Sequence, residues 1–168
     1  MKIILISDTH GFLDPRLDKY FDQCDEIWHA GDIGSKEIVE KLEALKPTRI
    51  VYGNIDNHEI QLMTKKELMW EIDGLKFAMT HIAGKPGKYY RDGGNFFKNA
   101  KADIYICGHS HILLVQFDKY LNGLWLNPGA CGNKGFHKIA TFLRFEIKGG
   151  KIENMEAIEL GPRSTKFS

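Results

Sequence analysis

Seven side chains with metal-binding chemistry stand at the ends of short apolar runs. They are Asp8 and His10 in Asp8-Thr9-His10-Gly11, Asp32 after Gly31, Asn54 after Gly53, His81 after Thr80, and His109 and His111 in Gly108-His109-Ser110-His111. Carboxylate and imidazole donors together suit Mn, Fe, Zn, Co or Ni better than calcium. A carboxylate has two oxygens and can join two ions, while an Asn carbonyl ligates without adding negative charge. If two dications bind, Asp8 and Asp32 alone leave the cluster net positive. Such a site favours a phosphate ester and the negative charge that builds up in its transition state. The motifs differ in weight: Asp-x-His arises in roughly every second shuffle of such a composition, but Gly-His-x-His in roughly three of a hundred. All five motifs in this order, each behind a strand, form the strong signal.

The elements that must position these residues can be read from periodicity. Residues 2–7 form a buried strand, 26–30 a second and 49–52 a third. The spacing of Leu17, Tyr20 and Phe21 predicts a helix over 14–22. Ser35 caps a helix through Leu45 whose apolar face is Ile38, Val39, Leu42 and Leu45. Further on, hairpin signals dominate: Asp73-Gly74 between strands 68–72 and 75–80, Asn122-Gly123 between 112–118 and 124–126, and Gly149-Gly150 between 139–147 and 151–158. Residues 84–101 read as a loop then a helix, and 103–107 as another strand. Strand and helix alternate early and strands prevail late, which fits a layered α/β protein with a mixed sheet or two packed sheets. One domain spans 1–160, and 161–168 reads as a C-terminal tail. Strand ends in α/β sheets are where ligand sites form, so five loops bearing Asp, His and Asn point to one metal cluster.

Composition narrows the function classes. The chain has 168 residues, 43% hydrophobic and 27% charged, with a formal net charge of +1. That balance provides no global field for nucleic acid or membranes. The N-terminal apolar run is too short for a signal peptide, and no run is long enough for a membrane span. Cys24, Cys107 and Cys131 are sparse and unpatterned, as expected of reduced thiols in a cytoplasmic protein.

The motif set Asp8-Thr9-His10, Gly31-Asp32, Gly53-Asn54, His81 and Gly108-His109-Ser110-His111 resembles the calcineurin-like metallophosphoesterase family. The short length and the Gly53-Asn54-Ile55-Asp56 variant resemble its small prokaryotic phosphodiesterase branch. Asn127-Pro128-Gly129 resembles a family turn beside the site. The resemblance implies a four-layer α/β/β/α sandwich with two mixed sheets. It implies one divalent metal held by Asp8, His10, Asp32 and His111, and a second by Asp32, Asn54, His81 and His109, with Asp32 bridging. The implied function is phosphodiester hydrolysis by a metal-bridging hydroxide, with a homodimer as the assembly that relatives suggest. Where many members carry a His directly after the Asn, this chain has Ile55. His58, three residues on, is the candidate substitute as proton donor to the leaving group. The alternatives are a phosphomonoesterase, a nuclease, or a non-catalytic scaffold like the family's retromer trafficking subunit.

Other residues receive plainer readings. His29 is expected in the core or behind the ligands, His58 in an exposed loop, and His137 carries no signal. Cys107 reads as a buried strand residue, and Trp28, Trp70 and Trp125 as core or interface. Lys85, Lys88, Arg91, Lys98 and Lys101 interleave with Tyr89, Tyr90, Phe96 and Phe97, which reads as a solvated helix face with aromatics inside. The other reading of that stretch is a basic rim for a phosphate substrate or nucleic acid, and nucleic acid is not the favoured partner.

Overall fold

A computed structural model describes residues 1–163. In chain order the strands are β1 (Lys2–Ile6), β2 (Glu26–His29), β3 (Thr48–Ile50), β4 (Glu67–Ile72), β5 (Leu75–Thr80), β6 (Gly84–Lys85), β7 (Lys88–Tyr89), β8 (Ile104–Ile106), β9 (Leu113–Asp118), β10 (Gly123–Pro128), β11 (Ile139–Lys148) and β12 (Lys151–Pro162). The helices are α1 (Asp18–Phe21), α2 (Lys36–Leu45), α3 (His58–Met63) and α4 (Arg91–Ala100). One five-stranded sheet has the order β12-β11-β1-β2-β3, the other β4-β5-β8-β10-β9. Each is mixed. In the first, β1, β2 and β3 run parallel and β11 returns antiparallel along β1. In the second, β5, β8 and β10 run parallel between the antiparallel edges β4 and β9.

The period-2 alternation of these strands builds the layers. On β1, Ile3 and Leu5 face the second sheet, while Ile4 and Ile6 face Leu17, Phe21, Val39 and Leu42 under the early helices. On β8, Ile104 and Ile106 face inward, while Tyr105 joins Phe97 of α4 and Trp125 on the far side. The result is helices, sheet, sheet, helix: the expected α/β/β/α sandwich. Trp28 anchors its middle, fully buried, with edge-to-face partners Trp70 at 4.9 Å, Phe77 at 5.1 Å and Phe145 at 5.6 Å between ring centroids. Such aromatic pairs add about 0.5–1.5 kcal/mol each beyond their burial. Trp125 lies in the core under α4, also fully buried.

Local differences from the sequence reading have local causes. The predicted helix over 14–22 is a 3-10 turn, Pro15–Leu17, running into the single turn of α1. Helix α3 stands where a loop was expected around His58. It is too short to show periodicity, but Asn57 caps it by accepting the Ile60 N–H at 3.1 Å. The loop before α4 contains the small β6–β7 hairpin. Strand β12 continues to Pro162, paired opposite Ile139, two residues into the segment read as a tail. Residues 164–168 of that tail lie outside the described residues.

Candidate metal centre

The carboxyl ends of five parallel strands meet at one end of the sandwich. Asp8 and His10 follow β1, Asp32 follows β2, Asn54 follows β3, His81 follows β5, and His109 and His111 follow β8. Five of the seven adopt left-handed backbone conformations: φ is 55° at Asp8, 49° at His10, 54° at Asp32, 68° at His109 and 57° at His111. Non-glycine residues seldom take this conformation, and it concentrates where surrounding structure holds a functional group in place. Here the loops keep pairing beyond the sheet. The Asp8 N–H donates to the Gly31 carbonyl at 2.9 Å, the His10 N–H to Asp32 at 2.9 Å, and the Gly11 N–H to Ile33 at 2.7 Å. The glycines before Asp32 and Asn54 allow the close approach: a Cβ on Gly31 would overlap the His81 ring, and one on Gly53 the Asp32 carboxylate.

Six of the seven side chains form two groups of three. Asp8, His10 and His111 present donor atoms within 4.8 Å of one another, and so do Asp32, His81 and His109. Asp32 spans the two groups, with Oδ2 3.5 Å from His10 Nε2 and Oδ1 3.2 Å from His81 Nε2. Asp8 Oδ1 lies 3.2 Å from His111 Nε2 and 3.7 Å from His10 Nε2. Among the described residues, Asp8 Oδ1 and His81 Nε2 are buried without any hydrogen-bond partner. Buried polar atoms are nearly always paired. Two orphaned lone-pair atoms facing this donor set therefore fit residues shaped to bind cations.

The groups behind the donors fix their orientation. His81 Nδ1–H donates to the Ala30 carbonyl at 2.7 Å, which leaves Nε2 with its lone pair toward the cluster. His111 is set by a relay: His137 Nε2–H donates to the Gly132 carbonyl at 2.9 Å, so His137 Nδ1 accepts from His111 Nδ1–H at 3.2 Å. His111 Nε2, 3.3 Å from His10 Nε2, then turns its lone pair toward the cluster. Asp8 Oδ2 accepts from the Ser7 hydroxyl at 2.6 Å and the His109 N–H at 3.1 Å, so only Oδ1 is left for a cation. Asp56 ties the second and third loops together, accepting N–H groups of Gly53 at 2.7 Å, Gly34 at 2.8 Å and Ile33 at 3.1 Å. Asn127 donates to the Gly108 carbonyl at 2.9 Å and steadies the last loop.

The electrostatics follow the geometry. Burial pushes the Asp8 carboxyl up, but the adjacent His10, His111 and His81 imidazoles and the Ser7 hydroxyl outweigh it and hold Asp8 well below the usual range. Burial likewise raises Asp32, and His81 with the Ile55 N–H more than reverses it. Burial depresses His81, yet Asp32, Asp8 and the Ala30 carbonyl raise it overall. The cluster thus prefers positive charge among its carboxylates, which protons or metal ions supply in competition. His29 is not part of the cluster: its Nδ1 accepts from Gly31 N–H and its Nε2 meets the Thr9 hydroxyl at 2.9 Å. Burial pushes His29 down to about 3, so it stays neutral. Cys107 is buried behind the site and its thiol is pushed up to about 12 by burial, no nucleophile at neutral pH.

Not every sequence candidate joins the groups. Asn54 is exposed beside Gly53 and lines a cavity together with His81. His58 is the first residue of α3, exposed, and lines neither cavity bordering the cluster. His137 and Asp56 are the residues that sequence reasoning missed. The signal for Asp56 was its place three residues after Gly53, where a short carboxylate can bond back to the backbone. His137 offered no local signal, because its partner is 26 residues away.

Comparison with known proteins places this arrangement. A probable metallophosphoesterase of Methanocaldococcus jannaschii is 30% identical over 169 residues, covering 91% of this chain and 82% of that protein. A probable metallophosphoesterase of Methanothermobacter thermautotrophicus is 29% identical over 140 residues, 77% of each. Among solved structures, an archaeal phosphodiesterase superposes with a TM-score of 0.74 at 25% identity, covering 95% of this chain and 100% of the other. Zinc-bound Vps29 of Entamoeba histolytica shares the fold at a TM-score of 0.71 and 18% identity, covering 95% and 99%. The calcineurin-like phosphoesterase superfamily domain matches residues 1–150, and with the donor cluster at the strand ends this chain belongs to that superfamily.

Proposed function

We propose that this protein is a dinuclear-metal-dependent phosphodiesterase. The observation that carries the reading is the pair of adjoining three-residue donor groups spanned by Asp32, with one buried atom of each, Asp8 Oδ1 and His81 Nε2, left unpaired among the described residues. Asp8, His10, Asp32 and His111 would hold one divalent ion, and Asp32, Asn54, His81 and His109 the other. Mn, Ni, Fe, Co or Zn would suit these donors. Bound there, such ions supply Lewis acidity and a water acidic enough to attack at neutral pH. The chain's own part is to hold the donors rigid. The His81–Ala30 and His111–His137 bonds set the ring nitrogens, and the Asp56 carboxylate pins the Asp32 and Asn54 loops together. Leaving-group protonation falls to solvent or to His58, since Ile55 has no proton to give. This favours esters with good leaving groups.

The test is hydrolysis of bis(p-nitrophenyl) phosphate and p-nitrophenyl phosphate by metal-stripped protein with Mn, Ni, Co, Fe, Zn or Mg restored. Metal-dependent cleavage of the diester well above the monoester is expected. Cleavage of the monoester alone would replace the diesterase reading with a monoesterase. A second reading, a scaffold of the same fold, draws on Ile55, an exposed aliphatic side chain beside the cluster. Tight metal binding with no hydrolysis of either ester would favour it.

A further inference from the structure

Two cavities border the donor cluster, and Tyr90 lines both. The first, about 570 Å³, is reached from Asn54 and His81 and walled by Tyr52, Ile82 and Arg91. The second, about 470 Å³, is reached from His109 and Ser110 and walled by Lys85, Lys88 and Phe136. Both volumes lie within the range of small-molecule sites, about 300–1,000 Å³. Tyr90 is held as the ridge between them: its N–H donates to the Ala83 carbonyl at 3.0 Å and its carbonyl accepts from Gly94 at 2.7 Å, while its ring side is half exposed. A phosphate monoester has one arm and would leave one cavity empty. A diester has two arms leaving one phosphorus, which matches two cavities leaving one cluster.

The linings differ in charge and in aromatic surface. In the first cavity Lys66 and Arg91 are balanced by Glu67 and Asp92. Among the described residues, the second carries Lys85 and Lys88 and no carboxylate. It also carries Phe136, 73% exposed, whose ring lies nearly parallel to His111 at 5.4 Å between centroids. One face of that ring is thus covered by a candidate ligand and the other is open to a planar group. Stacking of a base on an aromatic side chain contributes about 1–3 kcal/mol, and lysines supply the charge for a phosphate.

We infer that the two cavities seat the two arms of a phosphodiester, and that the Lys85–Lys88 cavity takes an arm of the nucleoside phosphate class, its base on Phe136 and its further phosphate at the lysines. This rests on the phosphodiesterase reading above. The test uses the Mn-loaded protein and three substrates with one leaving group: methyl p-nitrophenyl phosphate, thymidine 3′-(p-nitrophenyl phosphate), and the same thymidine ester carrying a 5′-phosphate. Wild type is expected to favour the 5′-phosphorylated thymidine ester over the plain one by about tenfold in kcat/KM, mostly through KM, the order expected of two exposed ion pairs. That ratio should fall to near one in the Lys85→Ala/Lys88→Ala protein. Phe136→Ala should lower the rate on the thymidine esters relative to the methyl ester by about tenfold. All three residues are exposed, so the fold is not at stake. Cleavage of all three substrates with no preference, or a preference untouched by the lysine pair, overturns the inference and leaves the phosphodiesterase reading standing. Failure to cleave even the methyl ester overturns both.

Discussion

The first sheet brings Asp8, His10, Asp32 and Asn54 to the cluster, and the second brings His81, His109 and His111. All the negative charge therefore comes from one sheet, and the other supplies neutral nitrogen donors. Neither sheet alone presents a complete group of three, because His111 completes the Asp8 group and Asp32 completes the His81 group. The difference teaches that the site forms only when the inter-sheet core closes. Packing around Trp28 is thus part of the site's construction, whereas packing under α4 is not.

Breaking the charged half should have the largest effect. Asp32→Asn removes the carboxylate that spans both groups, and activity is expected to fall by about 10³-fold or more, with metal content below two ions per chain. His81→Ala, from the imidazole half, should cost less in rate, about 10²-fold, while still losing one ion. Steady-state kinetics with elemental analysis of both proteins checks the order. Equal losses would mean that the two halves do not divide the work by charge.

The packing contrast comes next. Trp28→Ala and Phe97→Ala each empty a buried aromatic site and should each lower stability by about 3–5 kcal/mol in urea melts. Only Trp28→Ala, which opens the core between the sheets, should also weaken metal binding in a titration below the melt. A matching loss in Phe97→Ala would sink the link between sheet docking and the site. Smaller again is His137→Ala, which frees the His111 ring without touching the cluster. A loss of about 10–100-fold in metal affinity is expected, with His137→Asn recovering part of it. An unchanged affinity would show that His111 is oriented by its backbone alone.

At neutral pH the smallest effect is that of a buried histidine, and it emerges only as the pH falls. His29 sits near 3 in the folded protein, because burial disfavours its charged form, against about 6.5 when unfolded. Between these values the unfolded chain takes up a proton that the folded chain refuses, so stability falls as pH drops from about 6.5 toward 3. The slope from this one group is at most about 1.4 kcal/mol per pH unit. Comparing wild type with His29→Asn isolates it from His81, which acts in the opposite direction. An identical slope in both proteins would mean that His29 titrates normally.

Much of the molecule was legible from residue order. Short apolar runs marked the strands, Asp73-Gly74, Asn122-Gly123 and Gly149-Gly150 marked three hairpins, and Ser35 marked the start of α2. The basic segment 85–101 split between its two readings. Phe97 is wholly in the core, as a helix face over a sheet requires, yet Lys85, Lys88 and Tyr90 line cavities at the site. Spacing could not separate these, because whether a lysine faces solvent or a cavity depends on what the β6–β7 hairpin leans against. Helix α3 escaped notice because it is shorter than two helical turns, so its cap was the only signal.

By itself, residue order determined which groups have ligating chemistry and that each follows a strand, since both are properties of short windows. Tertiary structure alone decided how the donors divide, that Asp32 faces both groups, and which atoms stay unpaired at their centre. It also recruited His29, Asp56 and His137, whose partners Thr9, Ile33 and His111 lie 20 to 26 residues away in sequence. Hydrogen bonds of that kind depend on the docking of loops from different strands, and no local pattern of residues encodes the distance between them.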